Sequence, residues 1–415
     1  MDNVASALRA RLLSNAGLAS ALLFSLLLCS PTTLRAEVAV GEPATSIPAT
    51  PPNSMDVADG DFPYEARKIA GPLVLPWSIA FLPDGRALVT ERPGRLRMIE
   101  GDRLLPEVIT GTPEVLTGGH AGLLDILVDQ DFPNTHLLFL SYMHGTREAS
   151  TIRVVRARLD GMSLIDKQVI FDSRPALKGV DMIGGRLAFG PDGMIYLTLG
   201  EHMQKEHAQD LLNDGGKIVR FNRDGSIPDD NPFVGHNDAQ PEIYSYGHRN
   251  PQGLISNAGD GLIWSLEHGP KGGDELNVIT SGGNYGWPVV TYGVNYDDTI
   301  ISDRTSASGM IDPIYKWVPS VAPSSLVSYS GNVMPDDWQG NFLIGTLVGE
   351  CLVRLQLNNG MVVKEERYLH HKIGRIRDVA VAADGYIYLL TDGTEASLYR
   401  LEPSEDLVAS RRPLQ

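Results

Sequence analysis

The stretch from Asp181 to Glu201, DMIGGRLAFGPDGMIYLTLGE, carries the plan of the chain. Leu187 and Phe189, then Met194 to Leu199, are strand material, and Pro191-Asp192-Gly193 is the turn that joins them. Gly184 and Gly185 provide a backbone that can approach a partner closely. Similar text stands at 81–91 (FLPDGRALVTE) and at 380–393 (AVAADGYIYLLTDG). A recurring apolar–turn–apolar unit predicts a repeat protein.

The rest of the body keeps this grammar. Short runs such as HLLFLSY, IRVVRARL, KIVRFN, GLIWSLEHG, NFLIGTL and CLVRLQL alternate with Gly, Asp, Asn and Pro clusters. No long segment of helical period competes with them, and only His207 to Leu212 reads as a single helical turn. Some 340 residues of short antiparallel strands predict an all-β propeller rather than a sandwich. Spacing alone allows six blades of about 57 residues or seven of about 49.

The ends read differently. Residues 1–36 have the form of an export signal, with Arg9 and Arg11 before an apolar run from Leu18 to Leu28 and Leu34-Arg35-Ala36 as a cleavage site. The apolar run is too short for a comfortable membrane span. Cys29 hints at a lipid anchor, but Leu28 directly before it fits that poorly. Residues 37–62, rich in Pro, Ala, Ser and Thr, read as a flexible linker. The folded body is expected over 63–403, with a C-terminal tail over 404–415. Removal of the leader would leave Cys351 as the one thiol, so no intrachain disulfide is expected.

The 415-residue chain has 42% hydrophobic and 21% charged residues, ordinary for a protein with a large core. Its net charge of -16 argues against nucleic acid or an anionic membrane as partner.

Four stretches could carry chemistry. In TGGHAGLLD (117–125), glycines let His120 point out of the backbone. In YSYGHRNPQG (244–253), His248, Arg249, Asn250 and Gln252 crowd into one donor-rich loop. In EHGPKGGDELNVITSGGNYGWP (267–288), Asp274, Glu275 and turns with free carbonyls suit Ca²⁺, though not in EF-hand spacing. In RIRD (375–378), Arg375 and Arg377 share one face of a strand and could clamp an anion. No hydrolase triad motif, P-loop, dinucleotide fingerprint or zinc motif is present.

Taken jointly and in order, these stretches resemble the soluble quinoprotein glucose/sorbosone dehydrogenase family, in particular its aldose sugar dehydrogenase branch. The likeness runs from LPWSIAFLPDG (75–85) to RIRDVAVAADGYIYLLTDG (375–393). It implies six blades, export to the periplasm or medium, and pyrroloquinoline quinone (PQQ) with Ca²⁺ over the propeller axis. It also implies oxidation of an aldose anomeric hydroxyl to a lactone, with a histidine as general base. Residue by residue, Arg249 and Asn250 match cofactor contacts, and Arg375 and Arg377 match the pair that grips the quinone carboxylates. Gly269 and Pro270 match the carbonyls on the cofactor-side Ca²⁺; Glu275 and Tyr285 match positions near a second Ca²⁺. Asp181 matches an acidic residue beside the base.

Three positions depart from the family pattern. Met182 stands where HFGG places the base, and a thioether has no useful proton affinity. Val348 stands where a lysine is common. His120 replaces a usual glutamine, and is expected to contact cofactor or, with Asp181, to stand in as base. Two readings follow: a PQQ- and calcium-dependent sugar dehydrogenase, or a non-catalytic propeller that binds a sugar or another ligand. The expected partners are a small sugar and an unspecified electron acceptor, with no nucleic acid, no membrane insertion after signal cleavage, and a homodimer left open. A lactone-hydrolase propeller is set aside, because no set of inward carboxylates is evident.

Overall fold

The computed structural model describes residues 54–56, 62–405 and 407. The expected export signal, Cys29 and most of the expected linker and tail lie outside them. Among the described residues no helix is long and apolar enough to cross a membrane.

The strands form six antiparallel sheets, the blades of a β-propeller. The innermost strands, in chain order, are Pro76–Phe81, Leu123–Val128, Gly184–Phe189, Pro251–Asn257, Pro323–Ser328 and Ile376–Val381. Each touches the next, and the last touches the first, so the ring is closed. Blade six is composite: its outermost strand, Tyr64–Leu73, comes from the start of the body and pairs with Ala396–Pro403 at the end. Within the stretch expected to be linker, Ser54–Asp56 pairs in parallel with Glu365–Arg367 of blade five.

The three recurrent turns have one construction. Gly85, Gly193 and Gly385 adopt positive φ, and their N–H groups return to the carbonyls of Leu82, Gly190 and Ala382. Each joins an innermost strand to its neighbour. The anticipated turn at His207–Leu212 is a short 3₁₀ helix placed slightly earlier, at Lys205–Gln209.

Both faces of most inner strands are covered, which explains runs such as GGRLAF, IYLTL and KIVRF in which every residue is buried. The apolar core falls into six clusters, one between each pair of adjacent blades. Phe171 and Phe221, for example, stack 4.9 Å apart between blades two and three.

The axis itself is polar. Arg186, from blade three, reaches all six innermost strands. Its guanidinium lies 4.2 Å over the Trp77 ring, 3.2 Å from Asp125 and 3.3 Å from Asp378. It also donates to the carbonyls of Gln252 and Ser324. Inward carboxylates therefore do exist, contrary to the sequence reading, but Arg186 occupies the space between them and supplies the positive charge. Gly185 permits this approach of blades two and three: a Cβ there would lie 2.6 Å from Leu124.

Candidate functional site

At one end of the axis, above Arg186, lies a cavity of about 290 Å³. Trp77 and Gln252, both of which touch Arg186, form part of its lining. Its lining mixes two kinds of residue. Arg375, Arg377 and Asp392 of blade six, Arg92 of blade one and His120 of the blade-two loop supply charge and polarity. Tyr296, Ala322, Leu347, Val348, Met182 and Ile183 supply apolar surface.

Arg375 and Arg377 both face the cavity, as their alternation in RIRD implied. Arg375 is ion-paired with Asp392 at 3.0 Å. Arg377 donates to Gln252 Oε1 at 3.2 Å. Burial lowers the Arg377 pKa to about 10 against the pull of Asp392. Burial opposes ionisation of Asp392, but Arg377 and Arg375 outweigh it and hold its carboxyl below the usual range. Arg92 donates to Gly119 O at 2.7 Å and forms no ion pair among the described residues. Three guanidinium groups thus share one lining carboxylate.

His120 sits half exposed at the rim. Its Nδ1 accepts the backbone N–H of Met182 at 3.2 Å, and the His120 backbone N–H is shared by Val180 O and Asp181 Oδ1. An accepting Nδ1 places the neutral ring's proton on Nε2. Burial, then Arg377 and Arg92, lower its pKa against the attraction of Asp181. Asp181 stands beside His120, its Oδ1 3.6 Å from Nδ1, and is not part of the cavity lining. Met182 is in the lining, with φ of 51°. That left-handed backbone costs roughly 1–2 kcal/mol for a residue other than glycine, and is fixed by His202 N–H donating to Met182 O.

Asn250 is buried between blades three and four. Its Oδ1 accepts from Gly184 N and Gln252 Nε2, and its Nδ2 faces His268 Nδ1 at 3.5 Å. His268 was not singled out from sequence, although it lies inside the quoted EHGPKGG. Its Nε2 donates to Pro323 O at 2.8 Å, which leaves Nδ1 unprotonated, and burial lowers its pKa to about 3. Arg92 and Asp392 were also missed. Each lies one residue past a strand end, with no local pattern to mark it.

Arg249 turns away from this cavity into a second, much smaller one of about 10 Å³. Its Nη1 donates to His268 O at 3.0 Å and Gly269 O at 2.7 Å. Gly269, Glu275 and Tyr285 line this space with Glu267. Pro270 does not line it; its ring packs at Gly293. Burial raises the Glu275 carboxyl well above its ordinary range, and nearby Glu267 adds to the effect. Asn277 Nδ2 donates to both carboxylates, and its Oδ1 has no partner. Oxygen donors, the two carboxyl groups of Glu267 and Glu275 and a space the size of one ion fit Ca²⁺. Backbone carbonyls would have to complete the shell, since no group of three or more His, Cys, Asp or Glu side chains is arranged for a metal among the described residues. The Tyr285 hydroxyl is already committed to Val278 O and Thr280 N, so its ring, stacked on His248, is what it contributes. Asp274 is likewise committed, stapling the loop through Gly269, Ser320, Val321 and Ala322.

Residues 73–400 match the Glucose / Sorbosone dehydrogenase family model. The chain belongs to the glucose/sorbosone dehydrogenase family. It is 37% identical to aldose sugar dehydrogenase YliI of Escherichia coli, over 79% of this chain and 90% of that one. It is 26% identical to quinoprotein glucose dehydrogenase B of Acinetobacter calcoaceticus, over 83% and 88%. The PQQ-bound aldose sugar dehydrogenase of Streptomyces coelicolor superposes with a TM-score of 0.68 at 30% identity, covering 82% of this chain and 97% of that one. The glucose/sorbosone dehydrogenase resemblance seen in the motifs therefore holds, and with it the six-bladed fold.

Proposed function

We propose that this glucose/sorbosone dehydrogenase family member is an exported, PQQ- and calcium-dependent oxidoreductase that converts the anomeric hydroxyl of an aldose to a lactone. The observation that carries the cofactor assignment is the charge imbalance of the large cavity, where buried Arg377 and its neighbours Arg375 and Arg92 have Asp392 as their one lining carboxylate. A polycarboxylate quinone supplies the missing charge, and Arg–carboxylate pairs are strong in such a setting. When bound, the quinone supplies the two-electron acceptor. Arg375 and Arg377 would hold its carboxylates, with Asn250 and His120 as further contacts. Calcium would be held near Glu275, with Gly269 and the Tyr285 ring around it and Pro270 outside that space. At Gly269 the carbonyl already receives Arg249, so the guanidinium and the ion would share that side of the loop.

The chain's own residues must orient the sugar and take its proton. With Met182 at the base position, the pair His120–Asp181 is the candidate. In its resting tautomer His120 offers Nε2–H, a donor. Moving the proton to Nδ1, toward Asp181 Oδ1 at 3.6 Å, frees the Nε2 lone pair to accept the substrate proton. This rearrangement breaks the Met182 N–H bond.

A second reading, a non-catalytic sugar-binding propeller, is favoured by that same bond, because it holds His120 in the form that cannot act as a base. Reconstitution with PQQ and Ca²⁺, followed by an aldose panel with an artificial electron acceptor, tests both. Cofactor binding with turnover supports the oxidoreductase. Binding without turnover supports the second reading, and failure to bind micromolar cofactor ends the first.

A further inference from the structure

The large cavity measures about 290 Å³, at the low end of the range of roughly 300–1,000 Å³ for a site that holds one ligand. With the quinone assigned to the arginines, a sugar has to lie over it, toward the mouth. Two lining residues are largely exposed, Tyr296 at 65% and Val348 at 62%, whereas the lining's tryptophan, Trp77, is buried under Arg186. Among the described residues the Tyr296 ring stacks on no other ring or cation, and its hydroxyl has no hydrogen-bond partner. The turn that carries it is nevertheless fixed. Asn295 N–H donates to Thr299 O at 3.0 Å, and Asn295 Nδ2 donates to Thr299 Oγ1 at 2.9 Å. Lys271 then ties the turn to the loop that follows His268, itself a cavity residue: its N–H donates to Val294 O at 3.0 Å, and its ammonium pairs with Asp298 at 2.5 Å. An aromatic ring is thus held on a stapled turn in the cavity lining, with no use inside the fold.

From this placement we infer that Tyr296 is the platform for the substrate, taking the C–H face of a pyranose ring and so selecting the cyclic form of the sugar. The proposal rests on the sugar-dehydrogenase reading above. A pyranose is amphipathic, with hydroxyls around its edge and C–H groups on its faces. An aromatic face buries such a surface with only two side-chain torsions to fix, and the tyrosine hydroxyl can stay in water. An acyclic polyol of the same size offers no flat face to the ring. The cyclic form is also the one that carries the anomeric hydroxyl.

The test is calorimetry of the full chain with D-glucose and the acyclic D-glucitol, without PQQ and again with it, together with steady-state kinetics on glucose. Glucose should bind more tightly than glucitol. Tyr296→Ala should close most of that gap and raise KM for glucose about three- to tenfold, the scale of one aromatic contact, with kcat held. Tyr296→Phe, which keeps the ring, should restore the parent KM. Both variants should melt like the parent chain. Equal affinity for the two ligands in the parent overturns the proposal, and so does an unchanged glucose affinity in Tyr296→Ala. A loss of PQQ affinity in Tyr296→Ala as large as that in Arg375→Gln also overturns it, since the ring would then belong to the cofactor. Glucose binding that depends on Tyr296 in a chain that never oxidises the sugar supports the platform and ends the dehydrogenase reading.

Discussion

His120 Nδ1 accepts the backbone N–H of Met182 at 3.2 Å, so the residue we propose at the base position also dictates the tautomer of the side chain proposed to replace it. Met182 has a left-handed backbone, a conformation that histidine tolerates better than most residues. Met182→His should therefore fold. Restoring a positioned base is expected to raise kcat with a chosen aldose by about two to four orders of magnitude. Single-turnover reduction of bound quinone, followed by absorbance, checks this; an unchanged rate would show that Met182 is not the base position.

Arg377 is held charged against the cost of burial, with a pKa lowered to about 10. Its folded-state value lies below that of the unfolded chain, so the charge destabilises the ligand-free fold. Arg377→Met should raise the ligand-free melting temperature. The same change should abolish the further rise that PQQ gives to the parent protein. Differential scanning fluorimetry with and without PQQ reads both effects.

Arg186 neutralises two buried carboxylates, Asp125 and Asp378. Arg186→Met would leave both at the axis without a counter-charge and should cost about 3–5 kcal/mol, the range for breaking a buried ion pair from one side. Asp125→Asn added to it should recover part of the loss. Urea denaturation of the single and double variants measures the coupling.

Glu275 has a folded-state pKa raised well above the ordinary 4.5. The folded state then holds its proton over a window in which the unfolded chain has released it. Its contribution is full below about pH 4.5 and is lost as the pH rises through the folded-state value. In calcium-free protein, the parent should lose stability relative to Glu275→Gln across that window. Added Ca²⁺, which needs the ionised carboxylate, should reverse the trend and release a proton on binding. Melting curves at several pH values, in chelator and in Ca²⁺, give the sign directly.

The fold was legible wherever local chemistry repeats. The Pro-Asp-Gly turn at 191–193 and its counterparts connect the first and second strands of their blades because a tight positive-φ turn admits few alternatives. The blade count was not legible from spacing, since blade lengths vary with their loops, and it came from the family likeness. Ring closure was invisible because Tyr64 and Pro403 pair across the whole length of the body. At the site, Arg375 and Arg377 were readable because strand alternation puts them on one face. Arg92, His268 and Asp392 were not, because each reaches the cavity through the way blades come together rather than through a pattern in its own stretch. Arg249 shows the converse: a motif can name the residue and still leave its direction open, since a guanidinium can choose between a ligand and nearby carbonyls.

The Arg186 hub also sets traffic. With a guanidinium, two carboxylates and the Trp77 ring packed at the axis directly beneath the cavity, the shaft of the propeller is plugged there among the described residues. Whatever enters at the His120 rim must leave by it. A sugar and an electron acceptor would have to queue for the same doorway, one departing before the other arrives, and each would compete with the other at high concentration.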